Sequence, residues 1–248
     1  MNATAKPFYI GTVRLSAPVI LAPMAGVCDL PYRVIAHRYG AALVCTEMVS
    51  DKGLLYHNVH TQDMLRIAPE EHPVSMQIFG ADPHTMAKAA ASVEEAGADI
   101  IDINMGCPVK KVVTNGEGAA LMRDLPRAEA IIRAVVQAVS IPVTVKMRTG
   151  WNEEEFTAPE LAKRAEAAGA AVTVHGRTRE QFYSGKADLK KIAAVVRAVS
   201  IPVIGNGDII DGPSAARMFD ETGCQAIMVG RGAQGNPWIY RHLDRMQQ

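Results

Sequence analysis

Cys107 is the side chain whose surroundings most clearly suggest chemistry. It lies in the segment Asn104-Met105-Gly106-Cys107-Pro108. Because the proline fixes φ and cannot continue a strand, the thiol is expected on a stiff turn. The local sequence holds no partner that would mark Cys107 as an activated thiolate nucleophile. A neutral thiol could instead donate a proton, and that role requires a pKa that is not depressed.

Lys146 and His175 are the next candidates, and each is open to more than one interpretation. Lys146 follows the β-branched residues Val143 and Val145, so it is expected at the end of a strand. Its amine could form a Schiff base with a carbonyl compound, or could stabilise negative charge on a bound electron-accepting ring. His175 could hydrogen-bond to a ring carbonyl or a phosphate, or could be a satisfied histidine of the core.

Two glycine-rich segments in the last quarter of the chain indicate an anion site. Asn206-Gly207-Asp208 and Gly230-Arg231-Gly232 each follow a short apolar run. Glycines let backbone N–H groups approach a bound anion closely, and Arg231 can add charge-assisted hydrogen bonds. We therefore predict a phosphate-bearing ligand at these segments. The alternative is that the glycines only shape turns.

Repeated sequence predicts the elements that position these residues. The segments EEAGADIIDI, EAAGAAVTVH and ETGCQAIMVG share one order: a helix end, then Gly97, Gly169 or Gly223, then an apolar run of strand length. A glycine there is typical of the left-handed residue that ends a helix. The segments AVSIPVTVKMR and AVSIPVIGNGD add a proline where each strand opens. Such alternation of helices and buried strands indicates parallel pairing.

Eight strands are predicted, at residues 19–23, 43–46, 74–78, 100–103, 143–146, 172–174, 203–205 and 226–229. Asp29, Asp82 and Ser214, each close to a proline, indicate helix starts. Eight such units close as a (β/α)8 TIM barrel, and 248 residues are about the length of one, so a single domain over residues 1–248 is expected. An open doubly wound sheet is the alternative, but the G-x-G-x-x-G turn typical of it is missing. Residues 9–16 are predicted to form a hairpin under the barrel floor.

A TIM barrel has its active site at the carboxyl ends of its strands. The residues that follow the predicted strands are polar or rich in glycine, so they are expected to converge on one mouth. They are Pro23-Met24-Ala25-Gly26, Glu47, Gln77, the Cys107 segment, Lys146 with Arg148, His175-Gly176-Arg177 and the two glycine-rich segments.

Composition limits the kinds of partner. Lys plus Arg equals Asp plus Glu at 26 each, so the chain has no overall positive field and any nucleic-acid contact must be local. The four cysteines lie far apart, without a C-x-x-C pair or a zinc-like histidine spacing, so no metal is expected. Cys28, Cys45 and Cys224 suit buried apolar positions. Neither a secretory signal nor a membrane span is predicted, and a cytoplasmic location fits best.

The motifs APMAGVCDLPYR, EMVSDKG, MQIFG, INMGCPVKKV, GEGAALMRD, VKMRTGW, VHGRTREQFYSG, GNGDI and MVGRGAQGNPW follow one another from about Pro18 to the end. Together they resemble the bacterial tRNA-dihydrouridine synthases of the B-type subgroup. APM or GNGD alone would be a weak signal. The fixed order of NMGCP, KMR, VHGRT, NGD and GRG is highly specific.

The resemblance implies a flavoprotein oxidoreductase that holds FMN on the barrel mouth, is reduced by NADPH and converts uridines in tRNA to 5,6-dihydrouridine. Hydride would pass from flavin N5 to uridine C6, and Cys107 would protonate C5. The implied flavin-binding residues are Pro23, Met24, Ala25, Gln77 and Lys146 at the ring, His175 at ring or phosphate, and Asn206, Gly207, Asp208, Gly230 and Arg231 at the ribityl phosphate. Asn104 would help to seat the uracil, while Arg177 and Lys110 would grip RNA phosphates. The expected partners are tRNA and NADPH, and the expected state is a monomer.

The family pattern continues beyond the barrel into a helical domain that helps to clasp tRNA, whereas this chain stops at Gln248. We expect that domain to be absent, flavin binding to be retained and tRNA binding to be weakened. Salt-dependent tRNA binding equal to that of a longer chain would contradict this expectation.

Three other functions remain open at the level of sequence. Another FMN barrel, such as a dihydroorotate or dihydropyrimidine dehydrogenase, would act on a free pyrimidine. A lyase or aldolase would form a Schiff base on Lys146, which borohydride would trap without any bound flavin. A non-catalytic RNA-binding barrel would keep the flavin site as a vestige, although the presence of both Cys107 and Lys146 argues against it.

Overall fold

The computed structural model describes residues 8–245. The strands are β1 (Phe8–Ile10), β2 (Val13–Leu15), β3 (Val19–Leu21), β4 (Val44–Cys45), β5 (Val49–Ser50), β6 (Val74–Phe79), β7 (Ile100–Met105), β8 (Val143–Arg148), β9 (Ala171–His175), β10 (Val203–Asn206) and β11 (Ala226–Val229). The helices are α1 (Leu30–Arg38), α2 (Asp51–Leu55), α3 (Val59–Asp63), α4 (Pro83–Glu95), α5 (Lys110–Val113), α6 (Leu125–Ala138), α7 (Ala158–Ala168), α8 (Leu189–Ala198), α9 (Gly212–Thr222) and α10 (Ile239–Arg245).

Eight parallel strands form a closed barrel, which confirms the predicted (β/α)8 fold. Their order around the sheet is β3-β11-β10-β9-β8-β7-β6-β4. The seam between the two end strands is closed by a parallel bridge from Ile20 to Leu43 and by the Leu21 N–H, which donates to the Leu43 carbonyl at 2.9 Å. Among the described helices, none is long and apolar enough to span a membrane.

The barrel strands occur where the repeats predict them, although several of their bounds differ. The second barrel strand, β4, is only Val44–Cys45. The chain then forms strand β5, which was not predicted and which pairs with the end of β6. Strand β8 extends to Arg148, two residues beyond its predicted end, because Arg148 pairs in register with His175 of β9. The longer strand brings polar residues from neighbouring strands side by side.

Helix ends follow the predicted signals with one exception. Gly169 and Gly223 are left-handed C-caps, at φ of 90° and 71°. The expectation that Ser214 starts a helix is wrong, since the N-cap of α9 is Asp211. Its carboxylate accepts the Ser214 N–H at 2.8 Å, while the Ser214 hydroxyl oxygen accepts the Asp211 N–H at 3.1 Å. Ser214 therefore completes a capping box from inside the helix.

The repeated AVSIP segments have a structural cause. The Glu94 carboxylate in α4 accepts the Ser140 N–H at 2.8 Å, and the Glu166 carboxylate in α7 accepts the Ser200 N–H at 2.7 Å. Each contact ties the end of one helix to the turn after the next long helix. The repeated sequence therefore corresponds to the same glutamate–serine contact at two places around the barrel.

The predicted hairpin is present and lies at the amino ends of the strands. β1 and β2 pair antiparallel from Phe8 to Leu15. Gly11 at its tip packs so closely on Pro142, which precedes β8, that an added Cβ would come within 2.7 Å of the proline ring. Ile10 and Leu15 are buried in the lower core of the barrel. The hairpin therefore closes the floor and leaves the opposite end open.

Candidate active site at the barrel mouth

A cavity of about 660 Å³ opens at the carboxyl ends of the barrel strands. Nearly all the predicted site residues line it: Pro23, Met24, Ala25, Gln77, Asn104, Cys107, Lys146, His175, Asn206, Gly207, Asp208, Gly230 and Arg231. Arg177 and Lys110 do not. A second cavity, of about 400 Å³, lies between the start of α1 and α3. Glu47, which was expected at the mouth, lines this second cavity instead.

Strand register places several of these side chains beside one another. Lys146 of β8 is paired with Asn104 of β7, and His175 of β9 is paired with Asn206 of β10. Inward-pointing residues from alternate strands of a barrel stack in common layers of its interior. The Lys146 ammonium donates to the Asn206 amide oxygen at 3.2 Å, so the side chains of β8 and β10 meet across the mouth.

The loops after β10 and β11 form an end suited to an anion. Gly207 has a φ of +130°, and a Cβ there would come within 2.6 Å of the Ala187 side chain. Within residues 8–245, the backbone N–H groups of Gly207, Gly230 and Arg231 have no hydrogen-bond acceptor. Unpaired donors on glycine-containing loops, beside a half-exposed arginine, fit a bound phosphate group.

Asp208 organises the arginines at this end of the mouth. Its carboxylate accepts Arg177 Nη2 at 2.8 Å and the Ala187 N–H at 2.8 Å, and lies 3.3 Å from Arg231. Burial alone would raise the pKa of Asp208. The hydrogen bonds from Arg177 and Ala187, with the positive charges, hold that pKa below its usual value instead. Asp208 therefore stays ionised and orients Arg231, and its own oxygens are occupied by protein donors.

The buried position of Arg177 does not fit its predicted role in RNA binding. Its side chain is only 2% exposed. The guanidinium donates to the carbonyls of Ser184 and Gly185 and to Asp208, at 2.8 to 3.0 Å. These contacts attach the loop after β9 to the barrel, so Arg177 stabilises the structure of the mouth. Lys110, at the exposed start of α5, remains a predicted RNA contact.

The electrostatics of the mouth shift the pKa values of its basic groups. Burial lowers the pKa of Lys146 to about 8, against the opposing effect of the Asp102 carboxylate. Burial, followed by the charges of Lys146 and Arg148, lowers the pKa of His175 well below its usual value. His175 is therefore a neutral hydrogen-bonding group at physiological pH. Lys146 is a cation poised near its deprotonation.

Cys107 has the state that proton donation requires. Its side chain is half-buried in the mouth, and burial raises the pKa of the thiol. The other three cysteines are free and buried. Burial raises the pKa of Cys28 to about 12. Cys107 is therefore the accessible thiol of the described chain, and it is neutral.

Asp102 was not predicted to take part in the site, and Arg148 was expected at the mouth but without a role. Asp102 is buried at the base of the mouth, and burial raises its pKa to about 6. Arg148 lines the mouth and donates to the carbonyls of Gly106, Thr178 and Phe182, each at 2.8 Å. A carboxylate inside an otherwise apolar strand, two residues before Asn104 and so on the same face, is a signal that could have identified Asp102.

The side chains that could bind a ligand in the mouth are mainly amides and basic groups, with a single thiol. No group of three or more His, Cys, Asp or Glu side chains within residues 8–245 is arranged to hold a metal ion.

The fold and the mouth define a class of protein: a (β/α)8 barrel in which an end suited to an anion, a neutral thiol and a lysine meet in one cavity. The sequence profile described as dihydrouridine synthase (Dus) matches residues 20–248. This chain belongs to that family, which confirms the resemblance inferred from its motifs.

Individual relatives cover most of the chain. A probable tRNA-dihydrouridine synthase of Rhodobacter capsulatus is 51% identical over 232 residues, 92% of this chain and 71% of that protein. The tRNA-dihydrouridine synthases B of Pseudomonas aeruginosa and Shewanella oneidensis are 47% and 48% identical to it. Each of these matches spans 95% of this chain, and 71% and 73% of the respective relative.

Proposed function

We propose that this chain reduces uridines in tRNA to 5,6-dihydrouridine, with bound FMN as the cofactor and NADPH as the reductant. Membership of the dihydrouridine synthase family supports the reaction. The observation that carries the assignment to this site is the neutral thiol of Cys107, which shares one cavity with backbone N–H groups suited to a phosphate. A tRNA substrate fits a cytoplasmic location, and we propose a monomer as the active state.

The mouth fits FMN on chemical grounds. The N–H groups of Gly207, Gly230 and Arg231 would hold the phosphate, and Asp208 would keep the Arg231 guanidinium beside it. Pro23, Met24 and Ala25 on the loop after β3 offer a largely apolar surface for the ring, opposite the polar groups of Gln77, Lys146 and His175. FMN held there would supply the hydride chemistry, with NADPH as the hydride source and C6 of the uracil as the acceptor.

The protein's own groups supply the remaining steps. Cys107 donates its proton to C5, which completes the addition of two hydrogens across the C5–C6 bond and leaves a thiolate. The positive charges of Arg148 and Lys146 act on Cys107 to lower its pKa, so they stabilise that thiolate. Solvent protons then restore the thiol. Lys146, as a cation, stabilises the negative charge that develops on a reduced ring.

A half-reaction assay tests this proposal. Purified protein is reduced with NADPH and then mixed, without oxygen, with tRNA that lacks dihydrouridine or with free uridine. We expect a yellow protein, reoxidation by tRNA and a mass gain of two hydrogens in the RNA. Preferential reduction of free uridine would instead support a dehydrogenase of small pyrimidines. A colourless protein that borohydride links to a carbonyl compound at Lys146 would support a Schiff-base lyase.

A further inference from the structure

Three buried polar side chains connect the interior of the barrel to the turn that carries Cys107. Gln77 Nε2 donates to the Asp102 carboxylate at 2.6 Å. Asn104 Nδ2 donates to Gln77 Oε1 at 2.8 Å. The Asn104 Oδ1 atom then accepts the N–H groups of Gly106 and Cys107 at 3.1 and 2.8 Å. Asp102, Gln77 and Asn104 are all at least nine-tenths buried. We call these three residues the amide chain.

The direction of every bond in the amide chain is fixed by its two ends. The N–H groups of the turn can only donate, so Asn104 must face them with its oxygen and turn its NH₂ group towards Gln77. Gln77 must then offer its oxygen to Asn104 and point its own NH₂ group inwards. An acceptor is required there, and the ionised carboxylate of Asp102 can only accept.

Thr144 and Met48 each contact one member of the amide chain. The Thr144 hydroxyl donates to the second carboxylate oxygen of Asp102 at 2.6 Å. The Asn104 NH₂ group also lies 3.6 Å from the sulfur of Met48. Both ends of the Asn104 amide are therefore engaged inside the protein.

We propose that Asp102 is a positioning residue, which sets the polarity of the amide chain and thereby holds the Cys107 turn at the mouth. It touches neither the thiol nor the predicted place of the substrate, and acts through Gln77 and Asn104. The importance of the thiol's placement rests on the proposed function, but the hydrogen-bond polarity does not.

The test exchanges the acidic and amide groups at the two ends of the chain. In Asn104→Asp, measured above the pKa of both carboxyls, the turn still meets an acceptor, but Gln77 now lies between two carboxylates and has one NH₂ group to offer. One link must break. Adding Asp102→Asn restores a complete chain, because the new amide at position 102 would donate to Gln77, and Gln77 would turn to donate to the carboxylate at position 104.

Hydrogen exchange at the Gly106 and Cys107 amides, followed in the purified protein by mass spectrometry, reports the last link directly. With Gln77 held by Asp102, the carboxylate at position 104 has no donor on its inner side and moves away from the turn, so we expect Asn104→Asp to accelerate this exchange by about tenfold and the double variant to restore it to nearly the wild-type rate. An exchange rate in the double variant as fast as in Asn104→Asp, or faster, would overturn the proposal. If Asn104→Asp alone does not fold, recovery of folding in the double variant is the same readout.

The same two substitutions in a Gln77→Met background provide the matched control. Methionine keeps the length of the side chain but cannot carry the hydrogen bonds. Rescue by Asp102→Asn must then disappear, because the two ends communicate only through position 77. Rescue that persists in the Gln77→Met background would show a simple effect of net charge and would contradict the proposal. No step of this test uses turnover, so a failure of the tRNA assay would leave its result unchanged.

Discussion

At the scale of the residue, the site depends on two groups whose protonation states the protein controls. Burial keeps the Cys107 thiol neutral, as a proton donor must be, and brings the pKa of Lys146 down to about 8. The types and places of these residues were predictable from the strings NMGCP and VKMR. Their pKa values were not, because burial and neighbouring charges exist only once strands distant in the sequence are adjacent.

Replacing Cys107 by alanine should separate the two half-reactions. We expect reduction of uridine by the reduced protein to slow by roughly a hundred- to ten-thousand-fold, the usual contribution of general acid catalysis. Flavin binding and NADPH oxidation should be retained, as measured by stopped-flow absorbance. Cys224→Ala, which alters a buried cysteine outside the mouth, should leave both half-reactions intact. Equal loss of flavin reduction in Cys107→Ala would show that the thiol is structural.

Lys146 should impose an alkaline limit on the reaction. Its charge is present below a pKa of about 8, so any step that uses the ammonium slows as the pH rises through that value. The Asp102 carboxylate raises this pKa, and Asp102→Asn should therefore move the limit to lower pH. The pH dependence of flavin reduction by NADPH checks this. A limit that stays in place in Asp102→Asn, or that persists in Lys146→Met, would rule out Lys146 as its source.

At the scale of the element, buried polar side chains connect helices and loops that are distant in the sequence. The sequence repeats predict individual helices and strands but not these connections. Arg33 of α1 bonds to the fully buried Glu71 at 2.6 Å and to the carbonyls of Cys28 and Arg66. The helices and strands themselves were predictable from glycine caps and apolar runs. The links were not, and neither was β5, because a two-residue strand has no periodicity to detect.

Adjacent glutamates allow a matched test of the link to α1. Glu71→Ala leaves the Arg33 charge buried without a partner and should lower the free energy of unfolding by about 3–5 kcal/mol. Glu70, whose ion pair with Arg38 is exposed and 3.7 Å long, should cost less than about 1 kcal/mol when replaced by alanine. Urea unfolding at neutral pH gives both values. Similar losses for the two variants would contradict the assignment of Arg33 and Glu71 as a buried brace.

At the scale of the whole molecule, a closed floor and an open mouth place all the predicted chemistry at one end of the barrel. The formal charge of zero over the chain means that anion binding depends on local groups, and the loops after β10 and β11 supply them. The position of the candidate phosphate end was predictable because barrel topology fixes which loops lie there. The part played by Arg177 was not, since only the folded chain shows that its guanidinium is enclosed by Asp208 and the loop after β9.

The central claim is that this mouth holds a flavin by its phosphate, and a comparison of FMN with riboflavin tests it most directly. The two ligands share the ring system and differ by the phosphate. Titration of flavin-free protein, followed by quenching of flavin fluorescence, should show FMN binding at least about a hundredfold more tightly, as several charge-assisted hydrogen bonds require. Equal affinity for the two ligands, or no binding of either, would contradict the account.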